Sequence, residues 1–349
     1  MGTSNRTHPS ENFNCFFLEV ILLHASHKPL YISTVITSII NGIALVFATV
    51  GNSIILTVVL RTTALQTCSN LFLGNLVLSD LLVGAMVQPL FIIYKTGEIL
   101  GKYSCVAHAL FSTCAWLCAG VSFLTLTALN CERHIAIFAP LRYKTLVTSR
   151  GVIIISFFIW LLSLLLVSSR FYGFSSIAFY AVGCTIIVIS LITFLVISVR
   201  IHRVVQRHRK QIAVSHPSNL GSWQRQAREA GHARNVAWVT SIFFACYLPT
   251  LIIMITYTIV GYTVELKTVY LWSDALVFLN SSFNPAIYCW RNKGIRKAVF
   301  KVLDLKRKAS IQPNEQASPE CSKSAGCVID SVSDKIPSAR STDQLGKYN

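Results

Sequence analysis

Apolar residues cluster into seven long segments, separated by shorter polar stretches. Each segment has about twenty residues or more, the length that a helix needs to cross a bilayer core of about 30 Å. Helices are expected because lipid cannot satisfy open backbone groups and the segments do not alternate like barrel strands. The pattern therefore predicts an all-α membrane protein, a bundle of seven transmembrane helices over residues 33–60, 69–94, 105–133, 151–170, 176–200, 234–260 and 268–290.

Polarity divides the chain into an N-terminal segment (1–32), the seven-helix domain (33–292), an amphipathic segment (293–305) and a tail (306–349). In the amphipathic segment, apolar side chains recur at helical spacing opposite lysine and arginine. This spacing predicts a short helix on the cytoplasmic membrane surface. The tail is polar and rich in serine, which predicts disorder.

Composition and charge indicate the class of protein and its orientation. Hydrophobic residues make up 53% and charged residues 13% of the chain, whereas about 25% of a soluble domain is charged. The net charge of +17 therefore does not indicate a nucleic-acid-binding protein.

Most of the 31 lysines and arginines lie on one side of the predicted bundle, and six lie on the other: Arg6, Lys28, Lys95, Lys102, Arg170 and Lys267. The positive-inside rule then places the N-terminus outside and the C-terminus in the cytoplasm, where the basic loop of about 201–230 favours anionic lipid.

The predicted outer surface carries two modification candidates. Asn5 begins the sequon Asn5-Arg6-Thr7 and is a glycosylation candidate if the N-terminus is outside. Glu19 interrupts the nearby apolar run, so no cleaved signal peptide is expected. The eleven cysteines have no metal-ligand spacing. Cys15 and Cys105 are the clearly extracellular pair, and either a disulfide or two free thiols fits this topology.

Two sets of charges lie in or beside the apolar segments. Glu132 and Arg133 lie at the end of the third segment. The pair is either a simple anchor at the membrane interface or a switch, in which the glutamate holds the arginine in one state and releases it in another. Asp80 lies inside the second segment, where a carboxylate costs about 2.5 to 3.5 kcal/mol and requires partners in the bundle interior. These partners form either a structural polar network or a hydrated site for a small cation. The polar residues at similar depth are Asn52, Ser122, Asn280, Ser281 and Asn284.

Proline interrupts two neighbouring segments, Pro249 in the sixth and Pro285 in the seventh. Proline removes one backbone hydrogen bond and clashes with the preceding helical turn. The two kinks give the bundle places to bend.

Together these motifs resemble the class A (rhodopsin-like) G-protein-coupled receptors over about residues 40–305. They stand in the order that this family has: Gly51-Asn52, residues 76–80, Glu132-Arg133-His134, Trp160, Phe243 with Pro249, and Asn284-Pro285 with Tyr288. The resemblance implies a plasma-membrane receptor, not an enzyme, that activates heterotrimeric G proteins and meets a receptor kinase and arrestin at its tail. A seven-span transporter or channel is the alternative from span count. It predicts internal repeats or several mid-membrane charges, whereas Asp80 alone is clearly charged at that depth.

The resemblance also assigns roles to single residues. Glu132 would pair with Arg133 at rest, while Glu229, twenty residues before Pro249, would close the same lock from the sixth helix. The expected coupling and switch residues are Glu132, Arg133, His134, Pro140, Glu229 and Tyr288. The expected conformational connector is Phe243, Tyr247, Pro249, Asn284 and Pro285. An allosteric sodium site is implied at Asp80, Ser122, Asn280, Ser281 and Asn284, and no other cofactor is expected.

Several positions depart from the family pattern. Tyr247 replaces the tryptophan two residues before the sixth-helix proline, and Ser190 and Ser198 replace the fifth-helix proline and tyrosine. His108 stands where the family has its third-helix cysteine, and the connection 168–176 has no cysteine. Melanocortin receptors share the short loop, the missing disulfide and the missing proline.

The ligand is the least determined feature. Ala115 occupies the place of the amine-binding aspartate, eighteen residues before Arg133, and Phe278 occupies that of the retinal lysine. Asp274 is predicted to pair with a cationic group on a small molecule or peptide; the alternative is a carboxylate satisfied within the protein or by water. The candidate pocket residues are Gln88, Tyr94, Ala115, Trp116, Ala119, Met254, Tyr270 and Asp274.

Overall fold

The structure is a computed structural model, and it describes residues 11–16, 18–22, 28–212, 220–260 and 263–311. The chain divides into two units, 1–305 and 306–349.

Eight long helices account for most of the described part of the chain, and the first seven confirm the seven predicted segments. In chain order they are α1 (Lys28–Arg61), α2 (Cys68–Ile99), α3 (Cys105–Phe138), α4 (Ser149–Ser168), α5 (Ser176–Ile212), α6 (Leu220–Val260), α7 (Val264–Arg291) and α8 (Lys293–Ile311). Within α2, a π-helical turn at Val83–Val87 precedes Pro89. A separate short helix, Pro140–Leu146, lies between α3 and α4 and is called the loop helix below.

Six of the described helices, α1 to α6, are long and apolar enough to cross a membrane. The seventh, α7, has 28 residues, which gives it a length of about 42 Å at 1.5 Å per residue. Its polar side chains, including Lys267, Asp274, Asn280 and Asn284, are buried within the bundle. Their burial explains why α7 is less apolar than its neighbours and still belongs to the same layer of helices.

The structure corrects several predicted boundaries. Helix α5 continues to Ile212 and α6 begins at Leu220, so most of the loop predicted over about 201–230 is helical. Helix α8 extends to Ile311 and not to residue 305. Lysine, arginine and glutamine are good helix formers, so a helix can continue past its apolar segment. Hydropathy identifies the part of a helix that suits lipid, and it does not locate the ends of the helix.

Threonine and serine begin the helices at the loop boundaries. The side chains of Thr67, Ser104, Thr148 and Thr263 each accept a hydrogen bond from a backbone N–H in the first turn of α2, α3, α4 and α7. Such N-caps satisfy donors that have no partner inside the helix. The short connections between helices are therefore fixed by local sequence.

Two short strands precede the bundle and were not predicted. The strands β1 (Glu11–Cys15) and β2 (Leu18–Leu22) form an antiparallel hairpin in which Cys15 pairs with Leu18. A disulfide joins Cys15 to Cys105 at the start of α3, which is one of the two alternatives that the sequence left open for this pair. The hairpin is thereby held against the end of the bundle at which α3 begins, called the disulfide end below.

Helix α3 is central to the bundle and packs against α2, α4, α5 and α6, while α1 packs against α2 and α7. Close approach of α1 and α2 depends on Gly84, where a Cβ atom would lie 2.8 Å from the backbone nitrogen of Thr49. Large apolar side chains of α4 and α5, such as Phe157 and Ile189, are exposed on the outer surface. This arrangement is what a lipid-facing exterior requires.

Candidate functional site

A cavity of about 510 Å³ lies between the helices in the half of the bundle nearest the disulfide end. Ligand pockets for small molecules have volumes of about 300 to 1,000 Å³. Seven of the eight pocket candidates line it: Tyr94, Ala115, Trp116, Ala119, Met254, Tyr270 and Asp274. The prediction for Gln88 was wrong, because this fully buried side chain faces α1 and donates to Asn41 Oδ1 at 3.2 Å.

Asp274 lines the cavity and is 8% exposed. Its Oδ2 atom has no hydrogen-bond partner among the described residues. A buried acceptor without a partner costs about 1 to 3 kcal/mol. The carboxylate is therefore suited to receive a donor that enters the cavity.

A cluster of ionic groups that the sequence analysis did not identify lies beside this carboxylate. The two carboxylate oxygens of Glu98 accept from Lys95, at 3.4 Å, and from Lys267 of α7. All three side chains are at least 93% buried. Lys95 also lines the cavity. The spacing of Lys95 and Glu98, three residues apart on one helix face, was the available sequence signal.

Aromatic rings surround the same end of the cavity. Tyr94 stacks on His108 with ring centroids 4.1 Å apart, and His108 Nδ1 lies 2.6 Å from the hydroxyl of Tyr103. Burial and the nearby Glu98 raise the pKa of Tyr103 above its usual value, so the phenol keeps its proton. Arg170, two residues after the end of α4, donates to Ser112 Oγ at 3.0 Å, and its guanidinium lies 4.6 Å from the ring centroid of Phe179.

The floor of the cavity leads to the predicted connector. Tyr247 lines the cavity and stacks on Phe243 with centroids 4.4 Å apart, and both rings pack against Phe123 of α3 at 4.7 and 4.8 Å. A tyrosine thus fills the position of the family's tryptophan and keeps an aromatic contact with α3. Next to Pro249, Thr250 Oγ1 lies 2.6 Å from Ser273 Oγ, which ties α6 to α7.

Asp80 is buried in the middle of the bundle and bonded to α7. Ser281 Oγ donates to its Oδ1 at 2.7 Å and Asn284 Nδ2 to its Oδ2 at 2.8 Å. Ser122 does not bond Asp80 among the described contacts and instead lies 2.9 Å from Ser79 Oγ. Asn280 is buried, and its Oδ1 has no hydrogen-bond partner among the described residues.

The donor set around Asp80 fits a small hard cation. One carboxylate, hydroxyl groups and amide oxygens are the oxygen ligands that such ions prefer. Asn52 Oδ1, like Asn280 Oδ1, is buried and has no partner in the described part of the chain. Unsatisfied acceptors around a buried carboxylate are what a bound cation or ordered water would satisfy. Pro285 follows this cluster and packs so closely on α1 that a Cβ at Gly51 would lie 2.9 Å from its ring.

At the opposite end of α3, Glu132 and Arg133 form the predicted ion pair. Arg133 Nε donates to Glu132 Oε2 at 2.5 Å, and Ser69 Oγ donates to the same oxygen at 2.7 Å. Tyr143 of the loop helix donates to Glu132 Oε1. Burial and this hydrogen bond to a carboxylate raise the pKa of Tyr143, so it remains a donor at neutral pH. The carboxylate is thus held by α2 and the loop helix as well as by Arg133.

The loop helix begins at Pro140, which is exposed, and its Leu141 is 93% exposed. His134, beside Arg133, stacks on Phe138 with centroids 4.4 Å apart. These residues place an apolar, accessible surface next to the Glu132–Arg133 pair.

Two contacts hold this end of α6, and neither was predicted. Asn130 Nδ2, one turn before Arg133, donates to Thr240 Oγ1 at 3.2 Å, and both side chains are buried. The guanidinium of Arg291 lies 5.6 Å from the ring centroid of Trp238 of α6.

The predicted acid Glu229 lies outside the described side chains, as Asn5 lies outside the described residues. Tyr288 is buried, and its hydroxyl has no hydrogen-bond partner among the described residues.

Comparison with known proteins agrees with these motifs. The family model described as 7 transmembrane receptor (rhodopsin family) matches residues 51–179. An alpha-1A adrenergic receptor of Oryzias latipes is 24% identical over 321 residues, covering 78% of this chain and 67% of its own length. The adenosine receptor A3 of Ovis aries is 25% identical and covers 78% of this chain and 90% of its own. The galanin receptor 2b of Danio rerio is 26% identical and covers 77% of this chain and 75% of its own.

The relatives carry names for different ligands, so the likeness reaches the family and does not resolve a subfamily. The match over residues 51–179 and these relatives, which cover most of the chain, support its assignment to the class A, rhodopsin-like family of G-protein-coupled receptors.

Proposed function

We propose that this G-protein-coupled cell-surface receptor binds an extracellular ligand in the 510 Å³ cavity and activates G proteins by outward movement of α6. The observation that carries the proposal is the position of Tyr247. This side chain lines the cavity and packs on Phe243 and Phe123. A ligand that moves Tyr247 therefore acts directly on the contact between α6 and α3.

Contacts between α6 and α3 continue from Tyr247 toward Arg133. Thr240 lies one turn beyond Phe243 and bonds Asn130 of α3. Outward movement of α6 would break this bond and the contact between Trp238 and Arg291. Arg133 would then leave Glu132 and meet an inserted G-protein helix, beside the exposed Leu141. The change is a shift between two populations of the bundle, and no chemical reaction takes place in the receptor.

The proposal is tested with purified receptor in lipid nanodiscs and a panel of heterotrimeric G proteins of each class. The wild-type receptor should accelerate guanine nucleotide exchange in at least one class. Arg133→Ala should abolish the acceleration, whereas Arg142→Ala, an exposed arginine of the loop helix, should retain it. Nucleotide exchange by the Arg133→Ala receptor at the wild-type rate would contradict the proposed coupling.

The orientation in the plasma membrane is part of the proposal, with the N-terminus outside and the C-terminus in the cytoplasm. The lysine and arginine distribution supports it. An epitope at the N-terminus should be stained on intact cells, and one at the C-terminus only after permeabilisation. The opposite staining would contradict it.

Asp80 is proposed to bind an allosteric sodium ion with Ser122, Asn280, Ser281 and Asn284. The ion would neutralise the buried carboxylate and hold α2 against α7 through the side chains that already contact it. The serine-rich tail is proposed to meet a receptor kinase and arrestin, and its residues after 311 lie outside the described part of the chain. For Asp274, a cationic group of the ligand is the proposed partner, because Oδ2 has no partner among the described residues.

A further inference from the structure

The cavity reaches the lipid-facing surface of the bundle between α4 and α5. In the described part of the chain, both helices pack on α3 but are not packed against each other. Leu162 of α4 lines the cavity and is 56% exposed, whereas the other described lining residues are buried or half-buried. The most open part of the cavity wall therefore lies where α4 and α5 face the lipid.

This opening lies in the half of the membrane nearest the disulfide end. Leu162 precedes the last residue of α4, Ser168, by six residues, and Ile186 of the cavity wall follows the first residue of α5, Ser176, by ten. At 1.5 Å per residue these separations are about 9 and 15 Å, against about 30 Å for the whole hydrocarbon core. In the proposed orientation the opening faces the outer leaflet.

The disulfide end of the cavity is filled by side chains that bond one another. Glu98 joins Lys95 on its own helix to Lys267 of α7. Lys95 and Lys267 are 5% and 3% exposed, and Arg170 is 3% exposed. Long charged side chains beside a water-filled entrance would keep their head groups in water. Their burial indicates that the described side chains leave a wider passage toward lipid than toward water.

The cavity wall at this opening suits an acyl chain. Leu124 of α3, Leu166 of α4 and Ile186 of α5 line it together with Leu162. Asp274 lines the same cavity from α7, and its Oδ2 atom has no hydrogen-bond partner among the described residues. A molecule that uses both features has a polar head with a donor group and one apolar chain. The volume of about 510 Å³ is that of a site for a single small molecule.

We propose that the ligand is a single-chain amphiphile of the outer leaflet. Its amine head pairs with Asp274, and its acyl chain leaves the cavity between α4 and α5 past Leu162. The proposal rests on the proposed function, since it names the ligand class of the same cavity. A lipid of the outer leaflet is then the extracellular ligand of the receptor.

The probes share an oleoyl amide and differ in the head group. N-(2-aminoethyl)oleamide carries an amine, N-(2-hydroxyethyl)oleamide a neutral hydroxyl and N-oleoylglycine a carboxylate, while N-(2-aminoethyl)acetamide keeps the amine and lacks the chain. Binding is measured as the rise in melting temperature of the purified receptor in nanodiscs, with the oleoyl probes at equal mole fractions of the bilayer. The oleoyl amine should bind at least 10-fold more tightly than the other oleoyl probes, or by about 1.4 kcal/mol, because it alone forms a charge-assisted hydrogen bond with Asp274. The acetamide should give no rise at the same total concentration.

Three variants separate the head contact from the chain contact. Asp274→Asn should bring the affinity of the oleoyl amine down to that of the hydroxyl probe. Leu162→Trp should weaken binding of the oleoyl amine several-fold, because the larger ring narrows the opening. Leu164→Trp is the matched control, since Leu164 is 48% exposed on the same helix and is not among the described cavity-lining residues. It should bind the probe as the wild type does, and melting temperatures without probe show that each variant is folded.

The position of the chain is tested by photolabelling. The oleoyl amine is prepared with a diazirine at the end of its chain, and labelled residues are mapped by mass spectrometry. Label from bulk lipid contact persists when excess unlabelled probe is added, whereas label from the site is displaced. The displaced label should lie on residues 162–166 of α4 and 183–187 of α5.

Three results would overturn the proposal: equal affinities of the three oleoyl probes, equal binding by Leu162→Trp and Leu164→Trp, or no displaced label on either segment. Nucleotide exchange without added ligand is measured on the same preparations. Exchange without saturable binding of the oleoyl amine would reject the ligand class alone. Saturable binding at the α4–α5 opening without exchange in any G-protein class would reject the proposed function and support the ligand class.

Discussion

Removal of the hydroxyl of Thr240 is expected to raise the basal activity of the receptor. In the structure this hydroxyl accepts a hydrogen bond from Asn130 Nδ2 at 3.2 Å, and the bond joins α3 to α6. In Thr240→Val the side chain keeps its shape, and Asn130 keeps its bond to the carbonyl of Leu126 at 2.8 Å. The substitution therefore removes the contact between α3 and α6 and leaves one of the two N–H groups of the Asn130 amide without its Thr240 acceptor.

The size of the effect follows from the strength of this contact. A neutral hydrogen bond contributes about 0.5 to 1.5 kcal/mol, and about 1 kcal/mol corresponds to a factor of roughly five in an equilibrium constant. If outward movement of α6 breaks the bond, the substitution destabilises the resting state alone. Basal activity should then rise about fivefold.

Trp238→Leu provides an independent perturbation of the same helix. It removes the cation–π contact with Arg291, which joins α6 to α7 at 5.6 Å. Trp238 is 54% exposed, so the contact should contribute about 0.5 to 1 kcal/mol. Basal activity should rise about two- to fivefold, and the double variant with Thr240→Val should show the product of the two effects.

The assay is guanine nucleotide exchange without ligand, at equal amounts of folded receptor in nanodiscs. The control is Ser241→Ala, because Ser241 is the next residue along α6, is exposed, and bonds the carbonyl of Ala237 in its own helix. Its basal activity should equal that of the wild type. If Thr240→Val matched Ser241→Ala, or fell below the wild type, the assignment of the Asn130–Thr240 bond to the resting state would be wrong.

Three further predictions concern stability and ion binding. Gly84→Ala should lower stability by about 1 to 3 kcal/mol, because its Cβ would meet the backbone of α1 at 2.8 Å. Gly74→Ala, whose Cβ would have ordinary contact at 3.5 Å, should melt at the wild-type temperature or higher, and equal melting temperatures for the two variants would contradict the packing argument. Sodium chloride should raise the melting temperature of the wild type above its value in choline chloride of equal ionic strength, and Asp80→Asn should lose this difference; a rise retained in Asp80→Asn would place the ion elsewhere. Cys15→Ser, Cys105→Ser and the double variant should all be destabilised equally, by up to about 4 kcal/mol for a disulfide that closes a 90-residue separation, and a larger loss in the double variant would mean that the thiols act separately.

The helices and the family were determined by the sequence alone. Runs of apolar residues have one stable form in lipid, the helix, because every backbone group must be bonded within its own segment. The order of Asp80, Arg133, Pro249 and Pro285 identified the family. These features depend on local composition and on single residues at fixed places, which a sequence displays directly.

The polar contacts between helices were decided by the tertiary structure. Gln88 and Tyr94 lie six residues apart on one helix and therefore on different faces: Gln88 faces α1, whereas Tyr94 lines the cavity. The π-helical turn at Val83–Val87 rotates the side chains that follow it, and its presence is not encoded in the apolar pattern. A rotation of this kind changes which face of the helix meets each neighbour, so Gln88 was wrongly predicted to line the cavity.

The ionic cluster and the contacts of α6 also depend on how helices that are distant in sequence pack together. Lys95 and Glu98 share one helix, but Lys267 joins them from a point 169 residues later in the chain. Asn130 and Thr240 are 110 residues apart and bond because α3 and α6 pack together. The sequence determined that this chain is a seven-helix receptor, whereas packing decided which charges face its cavity and which hydroxyl holds α6. The physical reason is that lipid selects the helices one at a time, while a buried polar side chain is stable only where another helix brings its partner.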